Sequence, residues 1–420
     1  MSVSDEAIAG QGTIVIVGGG QAGLQAAASL RSRSYPGNIL IIGDEAELPY
    51  QRPPLSKAYL REGAARASLD LRSPNYFADS SIELLTGHRI AAIDRVRRTI
   101  RSVDGAEFAY DHLILATGAR NRELGIPGAR LKGVHQLRSA KDAEDIRRSL
   151  AGAEKLVIIG AGFIGLEVAA FAASANKDVT VLEASTRPMS RQLSSTMSDF
   201  FARTHEQSGI QFRFETVASH INGRNGSVES VETSNGTIVP ADFVLIGIGV
   251  IPNVGLAEQC GLRIDNGIVV DEHLVTSDPS ISAIGDCASF RQPYGNGIFG
   301  RLESVQNAVG HAHCVAARLT GAPKPYRALP WFWSDQGALK LQIAGSPRPD
   351  DESVTRGTPT PAGFSVFCFR DGALVGVESA NKAADHMMAR RILTEKIPLT
   401  MDEAADATFD LKARASKSRV

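Results

Sequence analysis

Two stretches of this chain carry glycines in one spacing, each between a β-branched run and an Ala/Leu-rich run. The first is Gly18, Gly20 and Gly23, which follow TIVIV at 13–17 and open an apolar stretch at 21–33. The second is Gly160, Gly162 and Gly165, which follow LVII at 156–159 and open a similar stretch at 163–175. A G-x-G-x-x-G between a strand and a helix has a defined physical task. Its first glycine permits a tight turn, its second lets a pyrophosphate approach the backbone, and its third lets helix and strand pack closely. The helix N-terminus then offers free N–H groups and a partial positive charge to the phosphates. One such loop is a weak signal. Two, each with its flanking strand and helix, predict a chain that binds two dinucleotides.

The copies continue in parallel. A second strand is predicted at 39–42 before Asp44, and another at 179–182 before Glu183. An acid roughly 20 residues past the glycine loop accepts hydrogen bonds from ribose hydroxyls. At the second loop, a carboxylate accepts from the 2′-hydroxyl of NADH and repels the extra phosphate of NADPH, although Arg187 nearby could soften that preference. Each copy then carries a hairpin turn, Asp104-Gly105 and Asn235-Gly236, and an apolar strand ending in glycine, DHLILATG at 111–118 and DFVLIGIG at 242–249. A further strand is expected in ISAIGD at 281–286. From about Pro330 the pattern changes to a hairpin, 364–369 and 373–377 around Asp371-Gly372, and a helix at 383–393. The basic last ten residues, LKARASKSRV, read as a loose solvated tail.

The expected fold class is therefore α/β: two Rossmann-like dinucleotide-binding domains and a small α+β C-terminal domain. The length of 420 residues suits two or three domains. The expected division is a flexible 1–12, a first nucleotide domain at 13–121 and 253–330, a second at 122–252, and a C-terminal domain at 331–420. A net charge of −1 excludes nucleic-acid binding by bulk charge. Cys260, Cys287, Cys314 and Cys368 form no CxxC pair, so neither a metal site nor a disulfide framework is expected, and the reading is a reduced, cytoplasmic protein. No leader is expected. The uncharged run 7–30 imitates a membrane span, but its glycines and Gln21 and Gln25 interrupt it, so no membrane partner is expected.

The motifs GGGQAG, PYQRPPLSK, ATGAR, LRSAKDAED, GAGFIGLE, GIGVIPN, AIGDC, RLESVQNA and PWFWSDQ occur in that order from about residue 13 to about 395. In this the chain resembles the FAD-dependent NADH:ferredoxin reductases of bacterial cytochrome P450 and aromatic dioxygenase systems. The resemblance implies a glutathione-reductase-like flavoprotein with FAD and NADH as cofactors, the FAD domain being split by the NAD domain. It implies FAD contacts at Ala22, Asp44, Lys57, Ile90, Arg138, Asp286 and Val305, with Arg52 and Arg120 approaching the pyrophosphate or flavin. Ala116, Thr117 and Gly118 of ATGAR, Ile164 in the second loop and Gly249 of GIGVIPN are further cofactor-binding positions. Lys57 and Glu167 are implied near flavin N5, where the lysine faces developing negative charge and Glu167 orients it. Phe163, where many relatives have tyrosine, is implied to pack over the flavin until nicotinamide displaces it. Trp333 is implied to line the edge where electrons leave.

The implied reaction moves hydride from NADH to FAD and then single electrons to a [2Fe–2S] ferredoxin, which feeds a cytochrome P450 or dioxygenase. Positioning carries most of that catalysis. Disulfide reductases need a CxxxxC soon after the first acid, and NADH peroxidases and coenzyme A disulfide reductases need one cysteine there; residues 43–62 contain none. The tail has too few apolar residues for the anchoring helix of membrane quinone reductases. A rubredoxin reductase, or an apoptosis-inducing-factor-like flavoprotein acting as a binding module, remains as an alternative. Gln306 departs from the proline of one family member, which bears on partner choice more than on the flavin. A basic patch for an acidic partner is expected around Arg301, Lys340 and the arginines near 390.

Overall fold

The computed structural model describes residues 12–61, 63–294 and 297–416. Apart from Gly12, the expected flexible N-terminus lies outside them, as do Lys417 and Arg419 of the expected tail. The chain divides into two compact units. One comprises residues up to 51, 66–120 and 251–330; the other comprises 52–65, 121–250 and 331–420. The segment 52–65, which the sequence reading leaves in the first nucleotide domain, packs instead with the second unit. There the second nucleotide region and the C-terminal region form one contact cluster.

The first unit is built on a five-stranded parallel sheet. Its order is Ile281–Ala283, His112–Leu115, Thr13–Val17, Asn38–Ile42 and Glu83–Leu85. The central runs are short, β-branched and almost wholly buried, as strands covered on both faces must be. The helix Gln21–Ser32 packs against Val305–Leu319. A three-stranded antiparallel sheet, Ile90–Asp94, Thr99–Ser102 and Glu107–Ala109, turns at Asp104-Gly105 as expected.

The second unit repeats the parallel sheet: Ile210–Arg213, Asp178–Leu182, Lys155–Ile159, Phe243–Ile246 and Val134–His135. Four strands correspond between the sheets. The edge strand beside Phe243–Ile246 precedes the glycine loop in the chain, whereas its counterpart Ile281–Ala283 comes after the whole of the first copy. The same unit holds a five-stranded antiparallel sheet in the order Trp331–Gln336, Leu339–Gly345, Ala373–Ala380, Phe364–Arg370 and Glu352–Arg356. Helix Ala383–Glu395 packs on this sheet.

The expected loose tail is corrected. Residues Leu411–Ala415 form a helix capped by the Asp410 carboxylate. Leu411 and Ala415, one turn apart, are buried in a core with Phe367, Phe369 and Ile392. Arg414 pairs with Glu403 and donates to the Pro398 carbonyl at 2.9 Å. Its charge is thus held by the fold rather than by solvent.

One polar joint inside the second unit has a thermodynamic consequence. The wholly buried Glu378, on Ala373–Ala380, accepts from the Ser194 backbone N–H at 2.8 Å and from its hydroxyl at 2.6 Å. Ser194 in turn caps the helix Ser195–Gln207. Burial pushes the Glu378 carboxyl up from 4.5 to about 7, aided by Asp351, against the Ser194 hydrogen bonds and Arg187. A folded-state value above the unfolded one means that the folded chain keeps a proton the unfolded chain has released. Stability from this group is full below pH 4.5 and is lost as pH rises through about 7. Glu378→Gln cannot ionise. Its melting temperature relative to the parent should therefore rise from about pH 5 to about pH 8, reflecting on the order of 3 kcal/mol. Parallel melting profiles across that range would show that the carboxyl titrates normally.

Candidate functional site

Each parallel sheet ends in its glycine loop, and the loops solve the same steric problem. Gly18 has φ +123°, and a Cβ there would lie 2.1 Å from the Ala116 carbonyl oxygen. A Cβ on Gly23 would lie 2.0 Å from the Gly18 carbonyl oxygen. In the second unit, Gly160 has φ +104° and meets Gly247, while Gly165 meets Gly160 in the same way. The middle glycines differ: a Cβ on Gly20 or Gly162 would meet nothing within 4 Å. These two are also the N-cap residues of Gln21–Ser32 and Phe163–Ser174, and they bring no capping side chain. By contrast, Ser139, Ser194 and Ser304 cap other long helices with their hydroxyls. Two helix N-termini are thus left with open space and uncapped N–H groups, which fits the pyrophosphate of a dinucleotide at each.

The two acids expected to meet riboses, Asp44 and Glu183, are not placed alike. Gly160 N donates to Leu182 O, and Glu183 follows immediately; Gly18 N donates to Ile42 O, but Gly43 follows, and Asp44 comes one residue later. Glu183 folds back on its loop, accepting from Ala161 N at 2.7 Å and Ser185 N at 2.8 Å. Asp44 is exposed, beside a contact in which Gly43 and Gly19 lie close enough that a Cβ on either would be 3.5 Å from the other's Cα. Arg187 donates to the carbonyls of Ser190 at 3.1 Å and Leu193 at 2.9 Å. The guanidinium that could soften the preference for NADH is committed to its own loop.

Other first-unit positions cluster at the carboxyl ends of the strands. Thr117 Oγ1 donates to the Asn253 carbonyl at 2.8 Å, and Asn253 Nδ2 donates back to the Thr117 carbonyl at 2.9 Å. This clamp fixes the turn through Ala116, Thr117 and Gly118. Arg120 is exposed and donates to Asn253 Oδ1 at 3.2 Å. Asp286 sits in the short helical turn Gly285–Cys287, and Val305 opens Val305–Leu319. Ala22 and Ile90 are buried in the first core, so what they offer a cofactor is backbone and shape. Arg301 departs from the expected basic patch: its side chain is 9% exposed, and it pairs with Glu303 at 2.8 Å and donates to the Asp286 carbonyl. It supports the Asp286 turn.

The second unit brings together Lys57, Glu167, Phe163 and the strand of Trp333. Pro53–Ser56 forms a tight helical turn, stiffened by its two prolines, and Lys57 ends it. Lys57 Nζ lies 2.8 Å from Glu167 Oε2 and donates to the Pro53 carbonyl at 3.2 Å. The Ser56 hydroxyl donates to the same carboxylate oxygen. The other oxygen, Oε1, accepts from the Ser334 hydroxyl at 2.6 Å. Glu167 is 5% exposed and is the only charged residue in the helix FIGLEVAAFAAS. A charge so placed costs several kcal/mol unless paired and hydrogen-bonded, as it is here. One helical turn earlier, the Phe163 ring lies 4.6 Å from that of Phe332. Trp333 is half-buried, its ring 6.0 Å from that of Trp331, over which the Arg390 guanidinium stacks at 4.3 Å.

Arg52 donates to the Arg138 carbonyl at 2.7 Å, which brings those two expected cations side by side. Ile164, in the first turn after the second loop, is exposed, and Gly249 has φ +97° with open space beyond it. Ser56, Ser334 and Asn253 escaped the sequence reading. The signal for the serines was available in Glu167, one acid alone in an apolar helix, which requires donors from elsewhere.

The four cysteines are all free thiols. Among the described residues no helix is long and apolar enough to cross a membrane. Residues 12–312 match the family described as pyridine nucleotide-disulphide oxidoreductase, and residues 331–415 match the reductase C-terminal family. Rhodocoxin reductase of Rhodococcus erythropolis is 52% identical over 97% of this chain and 95% of its own length. The ferredoxin reductase for the CYP199A2 system of Rhodopseudomonas palustris superposes with a TM-score of 0.94 at 47% identity, covering 96% of this chain and all of that one. The reductase in the covalent putidaredoxin reductase–putidaredoxin complex gives a TM-score of 0.93 at 39% identity, with 96% and 98% covered. With two open glycine cradles, a lysine paired with a buried glutamate and no cysteine pair, the chain belongs to the pyridine nucleotide-disulphide oxidoreductase family, and within it to the ferredoxin reductases with a reductase C-terminal domain.

Proposed function

We propose that this protein is an NADH:ferredoxin oxidoreductase that draws electron pairs from NADH and delivers them singly to a [2Fe–2S] ferredoxin serving a cytochrome P450 or related oxygenase. The observation that carries this is two dinucleotide cradles in a chain whose four cysteines are all unpaired. With no internal disulphide to receive them, electrons from the nicotinamide leave for an external acceptor. The balanced reaction is NADH plus two oxidised ferredoxins giving NAD⁺, one proton and two reduced ferredoxins. FAD, when bound, supplies the conversion from paired to single electrons.

The residues divide the work. Residues 13–121 and 253–330 carry FAD, with the pyrophosphate at Gly18, Gly20 and Gly23 and with Asp44, Asp286 and Val305 along its length. Residues 122–252 carry NADH, with Gly160, Gly162 and Gly165 at its pyrophosphate and Glu183 accepting from the adenosine ribose. Lys57, held by Glu167, supplies a fixed positive charge against the reduced ring, and Phe163 guards the nicotinamide position. The partner docks on residues 331–420, where exposed Lys340 and the Arg390–Trp331 stack offer positive charge beside aromatic surface. Free thiols and the need for NADH support a cytoplasmic location.

Three outcomes follow. In anaerobic titration of the holoprotein, NADH should bleach the flavin at concentrations at least ~10-fold below those needed with NADPH, and Glu183→Ala should narrow that gap. Equal bleaching by both would remove Glu183 from its role. A double-mutant cycle with Lys57→Met and Glu167→Gln should give a stability coupling of about 1–3 kcal/mol, the lysine being partly exposed. A coupling of zero would reduce the pair to coincidence. Reduction of an acidic [2Fe–2S] ferredoxin by NADH should slow several-fold between about 50 mM and about 500 mM salt. A salt-independent rate would exclude an electrostatic dock, and turnover with a dye but with no [2Fe–2S] protein would favour the binding-module alternative.

A further inference from the structure

The strand Trp331–Gln336 is inverted relative to an ordinary amphipathic strand. Its polar residues Ser334 and Gln336 are 0% and 1% exposed, while Trp331 and Trp333 lie half-buried at the alternate positions. Successive side chains of a strand point to opposite faces, so Phe332, Ser334 and Gln336 share one face. That face meets a column of partners within the same unit. Phe332 packs on Phe163, and Ser334 donates to Glu167, which stands one turn further along the same helix. Gln336 Nε2 donates to Ser334 Oγ at 3.2 Å and lies 3.6 Å from the Met189 sulfur. His205 Nε2 lies 2.7 Å from Gln336 Oε1, and His205 is 3% exposed.

One charge fixes every orientation in this chain. Ionised Glu167 can only accept, so the Ser334 proton must point to it. Ser334 Oγ is then free to accept, which turns the Gln336 amide nitrogen towards it. The Gln336 oxygen therefore faces His205, which must donate its Nε2 proton. Burial holds the His205 imidazole below its ordinary value, and that keeps it neutral with one proton to give. An amide in the middle of such a series passes orientation rather than protons. Glu167 thus receives Lys57 and Ser56 on Oε2 and the ordered series on Oε1.

We infer that Ser334, Gln336 and His205 form a positioning arm: Ser334 holds Glu167 Oε1 so that Oε2 keeps Lys57 in place, and Gln336 and His205 act through Ser334. The inference rests on the role given above to Lys57 and Glu167. It assigns the C-terminal strand a part in the step before any partner is met.

The test uses FAD-loaded Ser334→Ala, Ser334→Thr, Gln336→Met and the Ser334→Ala/Gln336→Met double variant. Two readouts are needed: stopped-flow bleaching of the flavin by NADH, and the flavin midpoint potential from dithionite titration without nicotinamide. Ser334→Ala should slow bleaching at saturating NADH about tenfold, as loss of a hydrogen bond to a charged group does, with half-saturation shifted less than about twofold. It should also move the midpoint potential to a more negative value, because the cation is held less firmly. Ser334→Thr, which keeps the hydroxyl, should restore most of both. Gln336→Met should act in the same sense but more weakly, and the double variant should be no worse than Ser334→Ala alone. Unchanged rate and potential in Ser334→Ala would overturn the arm, as would strictly additive effects in the double variant. Should Ser334→Ala lose its flavin, Gln336→Met alone decides: a slower rate with a more negative potential supports the arm, and parental values overturn it. If NADH fails to bleach the parent protein, the proposed electron donor is wrong, while the dithionite potentials still judge the arm.

Discussion

A carboxylate sits inside an apolar helix, and much of the second unit is arranged around it. Glu167 is flanked on its helix by Leu166 and Val168, both fully buried. The helix cannot solvate it, so the surrounding elements must. The proline-stiffened turn before Lys57 delivers a cation and a hydroxyl, and the first strand of the C-terminal sheet delivers the second hydroxyl. Each donor is rigidly based, on a tight turn or on a strand, so little freedom is lost when the contact forms. The cost of burying the charge is what makes the geometry specific, because a displaced donor leaves the carboxylate short of a partner.

Legibility in the sequence followed the range of the physics. The glycine loops are local: their turn, open middle and close packing are written in consecutive residues, and Thr13–Val17 and Lys155–Ile159 came through as near-continuous apolar runs. Spacing alone left the inequivalence of the two acids unread: Gly43 stands in the sequence between the strand and Asp44, but its consequence shows only once Gly18 and Gly160 are seen bonding equivalent strand ends. Charge composition misled at the tail, where Lys412 and Arg414 outweighed a short apolar pair whose burial depends on distant residues such as Phe367, Phe369 and Ile392. It misled equally at Arg301, neutralised by a neighbour two residues along. Ser334 and Gln336 look like the polar face of an edge strand until the helix they face is known.

The two kinds of candidate site are built by different means. The glycine cradles rely on backbone, with uncapped helix ends, glycines without side chains, and in the second copy a strand-end acid that reaches its own loop. The Lys57–Glu167 cluster relies on side chains drawn from three separated stretches, 53–57, 163–167 and 331–336.

The unpaired state of all four cysteines limits how much the molecule can hold. A relative with a reactive thiol pair has two places to bank electrons and can accept a second NADH before the first has been fully spent. This chain has one place. On the proposed function, each pair that enters leaves by two separate partner encounters, with no thiol pair to hold it in between.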